Sequence, residues 1–353
     1  MVNREKGIHI HGGDVYQNKV HIDFSANINF LGMPKEVSEA AKQSIEAANR
    51  YPDPNCTQLK ESISLYHGIP KEQIICGNGA AELIFLLVQA LKPTRALLLA
   101  PCFFEYEKAL IGAGTEIVQY VLKEEDNFLL SEDFLQELTQ SIDVLFLCNP
   151  NNPTGQLISP DLLKEILERC NKNKILLVLD ECFNDFICTP QEYSLLGQLE
   201  EYKNLFILKA FTKMYAIPGL RLGYGLSSNK ELLQKMEEKV QPWSVSVPAQ
   251  AAGTAACALK EFPRQTRQRV QVEKQYLLEQ LQQFDVTIFG WAANYIFFKG
   301  KTGLCSACME EGILIRDCSN FYGLKEGFYR IAIKSREENR QLIQVLSQIL
   351  RKG

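Results

Sequence analysis

Five short runs, Ala96 to Ala100, Ile117 to Leu122, Val144 to Cys148, Ile175 to Leu179 and Leu205 to Leu208, are apolar at nearly every position, and amphipathic helical stretches separate them. A strand that is continuously apolar has both faces covered, and regular alternation with helices makes neighbouring strands parallel. The spacing therefore predicts an α/β chain built on a mostly parallel sheet with helices on both faces. An earlier strand, Gln73 to Cys76, runs into Gly77-Asn78-Gly79-Ala80-Ala81-Glu82 and an apolar helix through Leu91. Strand, glycine loop and helix N-terminus together form a cradle for an anion, because unpaired backbone N–H groups and the positive helix end converge there.

The polar insertions fall at the strand ends. Pro101-Cys102-Phe103-Phe104-Glu105-Tyr106 follows the first run, Asn149-Pro150-Asn151-Asn152-Pro153-Thr154-Gly155 the third, and Asp180-Glu181-Cys182-Phe183 the fourth. Open parallel sheets bind ligands at the carboxyl ends of their strands, so these segments converge on one edge. The fifth run leads to Lys213, set among Phe211, Met214, Tyr215 and Ile217, and on through Pro218-Gly219 to a second strand beginning at Arg221. Desolvation disfavours an ammonium and exposes a nucleophilic amine able to hold an aldehyde, while a guanidinium suits a phosphate. Aldehyde plus phosphate points to pyridoxal phosphate. Asp180 is then placed to keep a pyridine nitrogen protonated, Asn152 to donate to the ring oxygen, and Phe103 to stack on the ring.

Beyond Lys230 the texture changes. A charged helical stretch to Phe284, interrupted at Pro242, Pro248 and Pro263, precedes strands at Val286 to Phe289, Tyr295 to Phe298 and Phe328 to Ile333 and helices near 303–311 and 336–350. This predicts an N-terminal arm (1–30), a large cofactor-binding domain (31–228) and a small α+β domain (229–353). The arm carries His9, His11 and His21 among glycines and asparagines, a composition suited to an anion site.

Composition narrows the function classes. A net charge of −4 gives no ground for a nucleic-acid or anionic-membrane partner, and no apolar run approaches the roughly 20 residues that span a bilayer. No apolar segment follows the N-terminal charges, so a cytoplasmic location is expected. Eleven scattered cysteines suit free thiols in a reducing compartment. Cys305 and Cys308, with Cys318 nearby, read as packed thiols and not as a metal site.

The motifs Asn49-Arg50-Tyr51-Pro52-Asp53-Pro54, Gly77-Asn78-Gly79-Ala80-Ala81-Glu82, Asn149 to Gly155, Asp180 to Phe183 and Thr212 to Tyr224 resemble those of fold-type I pyridoxal-phosphate enzymes of the class I/II aminotransferase superfamily, over nearly the whole chain. That resemblance implies Lys213 as the Schiff-base lysine, Asp180 as pyridinium partner, Asn152 as ring-oxygen donor and Phe103 as the stacking ring. It also implies that the backbone of Ala80 and Ala81, with Thr212 and Arg221, holds the cofactor phosphate, joined by Tyr51 from the second subunit of a homodimer with shared sites. Two relatives compete within the superfamily. Histidinol-phosphate aminotransferases are similar throughout but typically carry Asp-Glu-Ala-Tyr where this chain has Asp180-Glu181-Cys182-Phe183, and Phe183 lacks the phenol. His11-Gly12-Gly13, Asp23-Phe24-Ser25-Ala26-Asn27-Ile28-Asn29 and Ile315-Arg316-Asp317-Cys318-Ser319-Asn320-Phe321 resemble the threonine-phosphate decarboxylase family of cobalamin biosynthesis. The implied substrate is a small phosphorylated amino acid, its carboxylate and phosphate divided between Arg316 and Arg330, with His11 and Asn29 fixing the phosphate and Asn152 also within reach. Ala210 and Phe30 depart from the family pattern, where a hydroxyl residue and a proline are usual. A regulator that keeps this fold without turnover is the reading from another class, and the intact Lys213, Asp180 and Arg330 set weighs against it.

Overall fold

The computed structural model describes residues 11–16 and 20–351; His9 lies outside the described residues. Its strands are β1 (Ile22–Asp23), β2 (Ile74–Gly77), β3 (Arg95–Ala100), β4 (Glu116–Val121), β5 (Val144–Cys148), β6 (Leu176–Asp180), β7 (Leu205–Ala210), β8 (Gly223–Leu226), β9 (Thr287–Gly290), β10 (Tyr295–Lys299), β11 (Ile313–Leu314), β12 (Arg316–Asp317) and β13 (Phe328–Ala332). Seven of them form one sheet in the order β2-β8-β7-β6-β5-β3-β4. Every pair in it is parallel except those made by β8, which runs antiparallel to both β2 and β7. The expected mostly parallel α/β sheet is thus present.

Four of the five apolar runs follow from how this sheet is covered; the run at Ile117 to Leu122 forms the edge strand β4, in which no residue is buried, so the expected cover on both faces does not extend to it. Leu97, Leu99, Leu145, Leu147, Leu177, Leu179 and Ile207 face one core, and Ala96, Leu98, Val144, Phe146, Val178, Phe206 and Leu208 face the other. Successive side chains point to opposite faces, so two buried faces require an apolar residue at each position. Register then sets the edge: Cys148 is level with Asp180, and Asp180 with Leu208.

A separate antiparallel sheet, β12-β13-β10-β9, occupies the C-terminal part, and β1 of the arm pairs in parallel with β11. Two expectations need correction. The strand expected from Arg221 begins at Gly223, because Arg221 has a φ of 54° that no strand accepts. Pro248 and Pro263 do not break a long helix but lie in the first turns of helices Val247–Ala258 and Glu261–Leu281, where the N–H that proline lacks has no intrahelical partner to lose. No helix among the described residues is long and apolar enough to cross a membrane.

Candidate active site

Asp180 ends β6 with its carboxylate already partnered. Its Oδ2 accepts from the Tyr106 hydroxyl at 2.5 Å and its Oδ1 from the Cys182 backbone N–H at 2.9 Å. Tyr106 belongs to the helix Phe104–Gly112 that follows β3, and its ring stacks on Phe146 at 5.1 Å and meets Phe103 edge-on at 5.6 Å. Burial first, then the charge of Asp180, pushes the phenol far above its ordinary range, so it remains a donor. Sequence reasoning missed Tyr106, although it closes the strand-end cluster that begins at Pro101.

Lys213 sits in the short helical turn Phe211–Met214 after β7. Burial, followed by the charge of Arg330, lowers its amine from 10.5 to about 8. Phe183 lies 6.0 Å from Nζ, ring centre to nitrogen. Beside it, helix Ala80–Leu91 opens at Gly79, whose φ is +84° and where an added Cβ would stand 2.5 Å from Arg221 Nη2. Only glycine lets that guanidinium close over the helix N-terminus. Ala80, Ala81, Thr212 and Arg221 thereby line one concave wall suited to an anion.

The opposite wall comes from the loop after β5 and from the C-terminal sheet. Arg330 donates through Nη1 to Asn152 Oδ1 in a very short bond and through Nη2 to the Ser25 carbonyl at 2.9 Å, and its Nε is buried with no partner among the described residues. Arg316 donates to the Asp317 carbonyl at 2.5 Å and to Asn320 Oδ1 at 2.9 Å, over the Phe321 ring. The two arginines are directly opposite each other on β12 and β13. Like charges facing across a ladder destabilise it. Among the described residues the arginine–carboxylate pairs involve Arg95, Arg264 and Arg336, not these two. Two buried guanidiniums with no carboxylate at ion-pair distance among the described residues make a site for an anion, or for two.

These walls enclose a cavity of about 410 Å³. It brings together His11, Ala80, Ala81, Phe103, Asn152, Asp180, Thr212, Lys213, Arg221, Arg316 and Arg330. Two expected site residues lie elsewhere. The Asn29 amide donates to the Met214 carbonyl at 2.7 Å and to Thr266 Oγ1 at 3.0 Å, so it braces the Lys213 turn and not a ligand phosphate. Tyr51 does not line the cavity of its own chain but is exposed and stacked on Trp243 at 4.1 Å. In place of Asn29 the cavity takes Asn27, whose buried Oδ1 has no partner among the described residues. Nothing in the sequence separates the two asparagines. Cys305 and Cys318 are bonded to backbone carbonyls of Ile315 and Arg316, and no group of three or more histidines, cysteines and carboxylates with metal-binding geometry occurs among the described residues.

The aminotransferase class I and II family matches residues 19–346. A threonine-phosphate decarboxylase of Salmonella typhimurium is 38% identical, the match covering 93% of this chain and 91% of the relative. A histidinol-phosphate aminotransferase of Methanosphaera stadtmanae is 32% identical, covering 93% and 90%. The crystal structure of the histidinol-phosphate aminotransferase from Clostridium acetobutylicum superposes with a TM-score of 0.88 at 30% identity, over 94% of this chain and 100% of that one.

Proposed function

The chain belongs to the aminotransferase class I and II family, and from that premise we propose that it binds pyridoxal 5′-phosphate and decarboxylates L-threonine O-3-phosphate to (R)-1-amino-2-propanol O-2-phosphate and carbon dioxide, in cobalamin biosynthesis. The observation that carries this reading is the buried cross-strand pair Arg316 and Arg330 facing the same cavity as Lys213. Threonine phosphate bears a carboxylate and a phosphate at once; histidinol phosphate bears only the phosphate, though the 2-oxo acid of an aminotransferase would also bring carboxylates, and the higher identity to a threonine-phosphate decarboxylase, 38% against 32%, favours the first.

The cofactor fits the residues present. The close approach of Arg221 over Gly79, the N-terminal N–H groups of Ala80 and Ala81 and the Thr212 hydroxyl would hold its phosphate. Asp180, pinned by Tyr106 and the Cys182 N–H, would face its ring nitrogen, Phe103 would cover the ring, and the Lys213 amine would hold it covalently. Asn152 accepts from Arg330 through Oδ1, which leaves its amide N–H groups to donate to the ring oxygen. When bound, pyridoxal phosphate supplies the electron sink for the bond broken at Cα.

The protein decides which bond that is. Arg316 and Arg330 would divide carboxylate and phosphate between them, and holding both ends of a short substrate would fix which bond at its Cα is presented for cleavage. Lys213 Nζ, whose pKa near 8 lets it exchange protons near neutrality, would give Cα a proton in place of the carbon dioxide lost. We also place the enzyme in the cytoplasm as a homodimer, with Tyr51 of each chain reaching the partner's cofactor phosphate.

The decisive experiment supplies purified protein and cofactor with L-threonine O-3-phosphate and measures carbon dioxide, against 2-oxoglutarate-dependent amino transfer from histidinol phosphate. Carbon dioxide with aminopropanol phosphate supports the reading. Transfer without carbon dioxide replaces it with the aminotransferase. Borohydride reduction and peptide mass spectrometry should find the cofactor on Lys213, and a label on any other lysine refutes the assignment.

A further inference from the structure

The cavity wall contains one carboxylate that the chemistry above leaves without a task. Glu105, in the first turn of helix Phe104–Gly112, has a side chain 11% exposed and faces the same space as Arg316 and Arg330. An anionic side chain on the wall of a phosphate site repels the ligand unless a cation cancels it. Its neighbours decide the matter. Lys108 Nζ is 3.8 Å away and its side chain is 58% exposed, so water screens most of that attraction. The His11 side chain is 49% exposed as well, but its Nε2 is 3.1 Å from Glu105 Oε1, within hydrogen-bond reach, which Lys108 at 3.8 Å is not.

The arm is folded so as to bring His11 there. Ser25 Oγ receives the Gly13 N–H at 2.7 Å and donates to Asp23 Oδ1 at 2.6 Å. The Ser25 carbonyl receives Arg330 Nη2. One turn thus fixes both the ring that meets Glu105 and the guanidinium that meets the ligand.

We propose that Glu105 is a positioning and specificity residue: it seats the His11 ring at the cavity mouth, and His11 in return masks the Glu105 charge that would otherwise exclude a phosphorylated ligand. The proposal rests on the phosphorylated-substrate reading for its ligand, but not on decarboxylation. With the His11 ring bonded to it, the Glu105 carboxylate is partly satisfied and the arginines dominate the field. Without it, Glu105 opposes them.

The test is a double-mutant cycle on the cofactor-loaded protein. Inorganic phosphate binding is measured by calorimetry, with KM and kcat for L-threonine O-3-phosphate in parallel and unphosphorylated L-threonine as the control ligand. H11A is expected to weaken phosphate binding about tenfold, because it unmasks a like charge, and to raise KM more than it lowers kcat. Adding E105Q to H11A should recover most of that loss, and unphosphorylated threonine should respond little to either change. H11N, which keeps a polar side chain at the arm, should reproduce the loss and its recovery. A double variant that binds phosphate as weakly as H11A overturns the proposal, and so does an equal loss for phosphorylated and unphosphorylated ligands. Phosphate affinity is read without turnover, so absence of carbon dioxide would refute the decarboxylase assignment and leave this result standing.

Discussion

Asn27 and Asn29 are two positions apart, both buried, and serve different ends. Asn29 braces the carbonyl of Met214, and its own backbone N–H bonds the Lys213 carbonyl at 3.1 Å. N29A strands a buried carbonyl and a threonine hydroxyl, so urea unfolding should show a loss of about 1–3 kcal/mol. N27A removes a side chain that lines the cavity, and its effect should fall on substrate KM with little change in the unfolding midpoint. Lys213 makes a second residue-scale prediction. Its amine, lowered by burial and Arg330 from 10.5 to about 8, is neutral in the cofactor-free fold between those values while the unfolded chain is still protonated. The unfolded state then binds more protons, so stability rises with pH through that window, and below about pH 8 the full penalty of about 3 kcal/mol applies. K213M should therefore stabilise the cofactor-free protein at pH 7. It should reduce the pH slope without abolishing it, because burial lowers Lys274 to about 8 as well.

At the scale of elements, the loop after β5 is held from the C-terminal sheet. Tyr295 donates to the Asn151 carbonyl at 2.7 Å, the Gln156 amide to the Phe289 carbonyl at 2.7 Å, and the Ala292 N–H to the Gly155 carbonyl at 3.1 Å. The two backbones touch at Gly290, where a Cβ would lie 2.0 Å from the Thr154 carbonyl oxygen. Backbone cannot yield as a flexible side chain would. G290A should therefore part the loop from β9 and shift Asn152 with it, giving about 1–3 kcal/mol of destabilisation in urea unfolding together with a raised KM. An equal KM in G290A would mean that Asn152 is positioned from its own loop alone. The helix starts at Pro248 and Pro263 belong to this scale too. Sequence spacing made them interruptions, but the Ser246 hydroxyl accepts from the Ala249 N–H and so marks the first of them as a beginning.

For the whole molecule, the outstanding surface feature is the Tyr51–Trp243 stack, with the two residues 75% and 44% exposed. If Tyr51 serves a partner's site, then K213A and Y51A chains, each inactive, should complement when mixed. One site in each mixed dimer keeps both native residues, so an equal mixture recovers about a quarter of wild-type activity. Failure of complementation, with dimers demonstrated by ultracentrifugation, would assign Tyr51 to structure alone. The same scale separates what was legible. The presence of the parallel strands and the chemistry at their ends could be read because apolar continuity and the residues that follow a strand are local properties of the chain; their order in the sheet could not. The reversed direction of β8 could not be read, because Gly223 to Leu226 look the same in either direction.

By itself, then, the chain's residue order settled an α/β sheet covered on both faces and gathered an aromatic ring, an amide, a carboxylate, an amine and a guanidinium toward one edge. Tertiary structure alone decided that Arg316 and Arg330 stand opposite each other, that Asn27 and not Asn29 enters the cavity, and that His11 meets Glu105. Each of these depends on contacts such as that between Arg330 and the Ser25 carbonyl, 305 positions apart in the chain. Local propensity carries no information about pairs so distant, and only the closing of the arm against the C-terminal sheet brings them within hydrogen-bond reach.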